Sequence, residues 1–316
     1  LLEILQMLKS RLLMRFQSAG HTTAVLRSLA YTSPSARLKD LTSGIEFYRV
    51  VARITEHFEE EKEDLIRKLK SLAVRLFRTE GMMISYTASR EGLDGLEDLV
   101  DSMKKRLFTD SVEEAVCILH CEKKNEGFKT ASKVQYVARS GNFIDGGAQY
   151  SGALQILKVI LSYDYLWQNI RVKGGAYGCM SGFKRSGESF FVSYRDPHLR
   201  RTLDVFKGIP EYVRSFKADE REMTKYIIGT ISGKDVPRTP KMQGAISRSA
   251  WFCGITEEMA QKERDEILKA SETDIQELAP LIEAILDNDA VCVVGSEPAI
   301  EKEKELFDTV LPLISC

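Results

Sequence analysis

Along the first 78 residues the apolar positions recur at helical spacing. Leu1, Leu2, Ile4, Leu5, Leu8, Leu12 and Leu13 make one stripe, and a period near 3.6 residues predicts an amphipathic helix. The pattern continues to about residue 78, punctuated by Gly20 and by Ser33-Pro34-Ser35. The run from Glu59 to Phe77 is first highly charged and then amphipathic, and its charges read as a solvated face. A short strand is expected at 82–87 and a helix over about 91–107. Residues 121–132 are polar and read as a linker, with a strand after them at 134–138.

The stretch from about Ser151 to Val172 is apolar almost all round, with Leu154, Ile156, Leu157, Ile160, Leu166 and Ile170. It predicts a single helix buried on most sides. Gly174-Gly175 stops it, because glycine accepts the left-handed conformation that ends helices. A hairpin follows: a strand over about 176–184, a turn at Ser186-Gly187 and a strand over about 189–195, closed by Asp196-Pro197. The remainder reads as helices over about 199–206, 209–215, 218–232, 240–252, 257–269 and 272–286. Ser271 is the expected N-cap of the last of these, with Asp274 three residues on. A final strand at 290–294 leads into a helix opening at Pro298.

Strand 82–87, Ser89 and the helix after it echo strand 290–294, Ser296 and its helix, at an offset of 207 residues. The echo predicts an α+β fold of two homologous domains, each a sheet packed by helices. Residues 1–120 would be the back part of the first domain, 121–132 the linker and 133–316 the complete second domain. The chain also opens without methionine inside a core-facing stripe, which predicts a fragment.

Composition narrows the function. The chain has 316 residues, 43% hydrophobic and 29% charged; disordered, collagen-like and disulfide-dense proteins are built differently. Lys plus Arg number 45 against 46 Asp plus Glu, a net charge of −1. A nucleic-acid partner would call for a basic excess, so none is expected. No apolar run approaches the roughly 18 residues of a membrane span, and no basic-then-apolar leader opens the chain, so no membrane partner and a cytoplasmic location are expected. Cysteines at 117, 121, 179, 253, 292 and 316 read as free thiols of a reducing compartment. Cys117, His120 and Cys121 could begin a metal site or simply end a strand; no second ligand pair follows at zinc-finger spacing. Gly146-Gly147 precedes a helix without a following Gly-Lys-Ser/Thr and reads as a turn.

The most informative stretch is Arg171-Val172-Lys173-Gly174-Gly175-Ala176-Tyr177-Gly178. Arg171 falls in the last helical turn and Tyr177 at the start of the next strand, and the glycines can fold both side chains toward one place. Alternation would put Tyr177, Cys179, Ser181 and Phe183 on one strand face. Arg171 offers a fixed fork of donors for carbonyl or carboxylate oxygens; Tyr177 offers a hydroxyl for a developing oxyanion. The alternative is an arginine that satisfies its own helix end beside a core tyrosine.

Arg-x5-Tyr within this stretch, after a helix containing Trp167, resembles the C-terminal half of presequence-protease-like zinc metallopeptidases of the pitrilysin/insulinase superfamily. Val134–Phe143 and the segment 1–108 carry the same resemblance. It implies four homologous α/β domains in two hinged halves around a closed chamber, this chain holding the back part of the third domain and the whole fourth. It implies zinc on a His-x-x-Glu-His motif in the N-terminal half, with Arg171 and Tyr177 binding peptide backbone near the scissile bond. The partners implied are that N-terminal catalytic half and unstructured peptide substrates. This chain departs from the pattern: its nearest string, His57-Phe58-Glu59-Glu60-Glu61, has Glu where the second histidine belongs, and only His21, His57, His120 and His198 exist. No metal site is therefore expected here, and the chain alone is expected to be inactive. A non-catalytic structural or substrate-presenting member of the superfamily, and an unrelated helical interaction module, stand as the other readings.

Overall fold

The computed structural model describes residues 1–109, 112 and 116–314; Cys316 and the last residues of the expected second domain lie outside them. In chain order the helices are α1 (Leu2–Ser18), α2 (Gly20–Leu29), α3 (Pro34–Ser43), α4 (Ile45–Glu56), α5 (Phe58–Leu76) and α6 (Leu93–Lys104). Strands β1 (Asn125–Thr130) and β2 (Tyr136–Asn142) come next, then α7 (Ala153–Tyr163), β3 (Gly178–Phe183) and β4 (Glu188–Tyr194). After these come α8 (Arg200–Lys207), α9 (Ile209–Arg214), α10 (Glu220–Lys234), α11 (Pro240–Phe252), α12 (Glu257–Lys269), α13 (Glu272–Gln276) and α14 (Ala279–Leu286). Strand β5 (Ala290–Ser296), α15 (Glu297–Lys302) and β6 (Thr309–Pro312) end the chain. The residues divide into two units: one of 1–53, 119–234 and 262 onward, the other of 54–118 and 235–261.

The first unit is built on one six-stranded sheet of order β3-β4-β2-β5-β1-β6. Strands β5, β1 and β6 run parallel; β2, β4 and β3 add antiparallel. The central strands β2 and β5 are buried along almost their whole length. That needs cover on both faces, and side-chain alternation shows what supplies it. Val137 and Val293 join a core with Leu154, Ile156 and Leu157 of α7 and Ile282 and Ile285 of α14. Burying each such side chain is worth about 1.5–3 kcal/mol. On the opposite face the Ser28 hydroxyl of α2 meets the Ser140 hydroxyl of β2 at 2.6 Å. At Gly20 a Cβ would sit 2.3 Å from the Tyr136 ring, so glycine lets α2 lie directly on the sheet.

The expected pair of homologous sheet domains is therefore corrected. Before Asn125 the described residues form helices and no strand, apart from a single bridge between Arg78 and Phe108. Residues 82–87 pair with nothing; an isolated β-prone segment has no ladder to join and does not become a strand. The echo with 290–294 consequently dissolves. Helices α1–α4 belong instead to the one sheet, where α2 covers its second face. The polar stretch 121–132 is no free linker either, because Asn125–Thr130 is β1 between β5 and β6. Its buried Glu126 is tolerated because Arg27 of α2 donates to it at 2.6 Å. The helix expected over 272–286 is two, α13 and α14, with Pro280 in the first turn of α14. The Ser271–Asp274 capping box is present.

In the second unit, α5 exposes its charged face, and Lys62 and Lys68 pair with Glu59 and Asp64 one turn away. Residues 82–87 lie against α11, where a Cβ at Gly244 would come within 2.0 Å of the Thr87 hydroxyl.

Candidate functional site

The buried helix does not run unbroken to Val172. α7 ends at Tyr163, and Trp167–Val172 winds as a π-helix, closed by the Lys173 N–H on the Gln168 carbonyl at 2.9 Å. The wider π turn places residues four apart almost above one another. Trp167 and Arg171 stack accordingly, the guanidinium carbon 4.4 Å from the indole centroid. Gly175 then takes φ +77, and the Ala176 N–H returns to the Ile170 carbonyl at 3.1 Å. The chain reverses into β3 in this way, and the Arg171 guanidinium comes to lie 5.4 Å from the Tyr177 ring. Arg171 and Tyr177, separated by the diglycine bend, are brought together.

Tyr177 is not a core residue. Cys179, Ser181 and Phe183 alternate inward along β3, but Tyr177 precedes the strand and is 64% exposed. Its backbone is fixed while its phenol is presented outward: its N–H is shared by the carbonyls of Tyr194 at 3.0 Å and Arg195 at 3.4 Å. Burial pushes the Cys179 thiol up to about 11, so it stays protonated and is no nucleophile.

Sequence reasoning missed the rest of the cluster. Tyr194 packs edge-on to Tyr177 at 5.7 Å and to His21 at 4.8 Å. The Tyr136 ring lies 5.6 Å from Tyr194. Arg195 stacks over Tyr194 at 5.5 Å, and the phenols of Tyr136, Tyr194 and Tyr177 raise its pKa above the ordinary range. Desolvation lowers the pKa of His21, and its buried Nδ1 has no partner, so the ring is neutral near pH 7. The visible signal was the aromatic density of Ser189–Tyr194, which reads equally as core. A cavity of about 520 Å³ opens at the carboxyl ends of β1 and β5, lined by Phe16, Gln17, Lys129, Tyr136, Val294 and Leu313. It shares Tyr136 with the cluster.

The zinc that the resemblance implies does not fit this chain. Among the described residues no three His, Cys, Asp or Glu side chains gather as a metal would need. His57 faces Glu60 at 3.7 Å on an exposed helix start. Cys117 is exposed and Cys121 half-buried, both free thiols. Nor, among the described residues, is any helix long and apolar enough to cross a membrane.

Comparison with known proteins agrees with the family resemblance. Residues 125–297 match the family described as PreP C-terminal domain, and residues 1–54 match a family described as associated with subfamily C of the M16 peptidases. Protein HypA of Clostridium perfringens is 37% identical over 314 residues, covering 99% of this chain and 32% of that protein. Presequence protease 1, chloroplastic/mitochondrial, of Arabidopsis thaliana is 27% identical, covering 93% of this chain and 27% of that protein. The chain thus spans about a third of the length of the curated relatives it matches. Among solved structures, a peptidase M16 inactive domain from Pseudomonas fluorescens superposes with a TM-score of 0.46 at 13% identity, covering 72% of this chain and 52% of that one. The family match over most of the sheet-bearing unit settles the relationship: the chain belongs to the presequence-protease (PreP) C-terminal domain family of the pitrilysin/insulinase peptidase superfamily.

Proposed function

We propose that this chain belongs to the metal-free, substrate-gripping half of a zinc peptidase that degrades unstructured peptides in a closed chamber. The zinc would be held by residues outside this chain, and the part played here is binding and orientation. Tyr177 donates its hydroxyl to the scissile carbonyl and follows that oxygen as negative charge develops on it. Arg171 donates its fork to a neighbouring peptide carbonyl. The bound peptide lies extended along a sheet edge, where main-chain hydrogen bonds tolerate many sequences; β3 is such an edge and begins one residue after Tyr177.

One observation carries the proposal: the phenol and the guanidinium are in contact with each other, fixed by the π turn and the Gly175 bend, and Tyr177 is turned to solvent. The test is Tyr177→Phe in the full-length protein. Loss of one oxyanion donor typically costs about 10²–10³ in turnover, and that fall is expected with an unchanged melting curve. Wild-type turnover in the variant would remove Tyr177 from the chemistry. The 316-residue chain by itself is expected to bind peptide without hydrolysing it.

A further inference from the structure

Two guanidiniums border the Tyr177–Tyr194 pair, and among the described residues neither forms an ion pair with a carboxylate. This sets them apart from Arg27, Arg200 and Arg214, each of which meets one or more carboxylates. Arg195 is also held in a costly backbone conformation, φ +49, in the left-handed region that non-glycine residues rarely adopt. The adjacent carboxylate does not neutralise it. Asp196 is buried, with its oxygens taken by the Thr202 hydroxyl at 2.6 Å and the His198 N–H at 2.9 Å. The chain therefore turns an acid inward and leaves its neighbouring cation exposed, seated on Tyr194. The Arg195 carbonyl also accepts from the Tyr177 N–H, so any group held by Arg195 lies beside the proposed substrate contact.

An exposed guanidinium that is pre-oriented on aromatic rings, yet lacks an anionic partner, matches a planar carboxylate. Building on the peptide-gripping role proposed above, we infer that Arg195 is a specificity-determining residue that holds a carboxylate of the bound peptide next to Tyr177. That carboxylate belongs to an Asp or Glu side chain or to the peptide's own C-terminus.

Fluorescence anisotropy with this chain and with the full-length protein separates the two sources. The probes are labelled unstructured peptides in matched pairs, Glu against Gln at single positions and free against amidated C-terminus. At low salt the carboxylate member of one pair type is expected to bind about fivefold more tightly, as befits an exposed ion pair, and the preference should shrink at high salt. The responsive pair type names the source. Arg195→Gln should bring the ratio to one, and Arg195→Lys should keep part of it. Arg195→Gly, which relieves the backbone, should match Arg195→Gln. A preference that survives in Arg195→Gln, or no preference in the wild type, overturns the inference. Arg171→Ala and Tyr177→Phe report on the underlying reading, since they should weaken all peptides alike. If they do so while Arg195 variants leave the ratio unmoved, only the carboxylate contact fails. If they weaken nothing, or if no peptide binds, the peptide-gripping role fails with it.

Discussion

The molecule holds arginines in two contrasting ways. Arg27 is buried between α2, α3 and β1, with Asp40 at 2.7 Å, Glu46 at 2.9 Å and Glu126 at 2.6 Å. Arg171 sits in the π turn before β3 and Arg195 just after β4, and among the described residues they meet no carboxylate in an ion pair. Aromatic rings do not make the difference, because Arg27 lies over Tyr31 and Phe128 much as Arg171 lies over Trp167 and Tyr177. The carboxylates do. Burial works against the Arg27 charge, but Glu126, Tyr31 and Asp40 outweigh it and hold the group firmly ionised. A cation neutralised from within locks the fold, and a cation left on rings at the surface is available to a ligand.

The largest expected effect breaks the buried side of this contrast. Removing one partner of a buried pair strands the other charge and costs about 3–5 kcal/mol. Arg27→Met strands Glu126 and should lower unfolding stability by that much in denaturant melts, whereas Glu126→Gln leaves Arg27 paired with Asp40 and Glu46 and should cost less. Replacing Arg27 and Glu126 together by apolar residues of similar size should recover part of the Arg27→Met loss, because Glu126 is then no longer stranded and Asp40 keeps Arg37 at 3.6 Å. Equal losses in single and double variants would mean that packing, not charge, governs the centre. Since α2 carries both Arg27 and His21, the single variants should also disturb the aromatic cluster at the helix's other end.

This buried centre was the least legible part of the chain. Asn125–Thr130 has one large apolar residue, Phe128, and an acid at a position that turns out to be buried. It reads as a linker because the group that neutralises Glu126 is 99 residues away. Conversely, Met82–Thr87 has strand-forming residues without a neighbouring strand, and β propensity expresses itself only in pairing. Local signals served well where the physics is local. The Ser271 cap, the hairpin of β3 and β4, and the α11 and α12 limits follow from residues within a few positions. Arg171 and Tyr177 were visible for the same reason, both flanking one bend. Arg195 was not, because a left-handed φ at a non-glycine residue and an inward Asp196 leave no mark in the residue order.

A smaller effect sharpens the surface side. The Trp167 indole is the plate on which Arg171 lies, and an exposed cation–π contact is worth about 0.5–1 kcal/mol. Trp167→Ala should therefore weaken peptide binding about two- to fivefold, with Trp167→Phe restoring part of it. In a cycle with Arg171→Ala the two losses should not add. Additive losses would show that Trp167 acts independently of the arginine, and the π turn would lose its role in placing it.

The smallest expected effect lies where the two regions meet on α2. Burial lowers the folded-state pKa of His21 below its ordinary 6.5, so the unfolded chain takes up a proton first as pH falls. Stability contributed by the neutral ring is present above the unfolded value and declines as pH drops through the folded one. His21 is only partly buried, so solvent screening keeps the effect small. Between pH 7.5 and 5.5 the wild type should lose on the order of one degree of Tm more than His21→Gln does. The loss should leave the Glu126–Arg27 centre intact, because that carboxylate is held below its ordinary range by Arg27 despite the opposing effect of burial. It therefore stays charged throughout this pH interval. An equal Tm change in both proteins would place the acid sensitivity elsewhere, and the T-shaped contact of His21 with Tyr194 would then be packing alone.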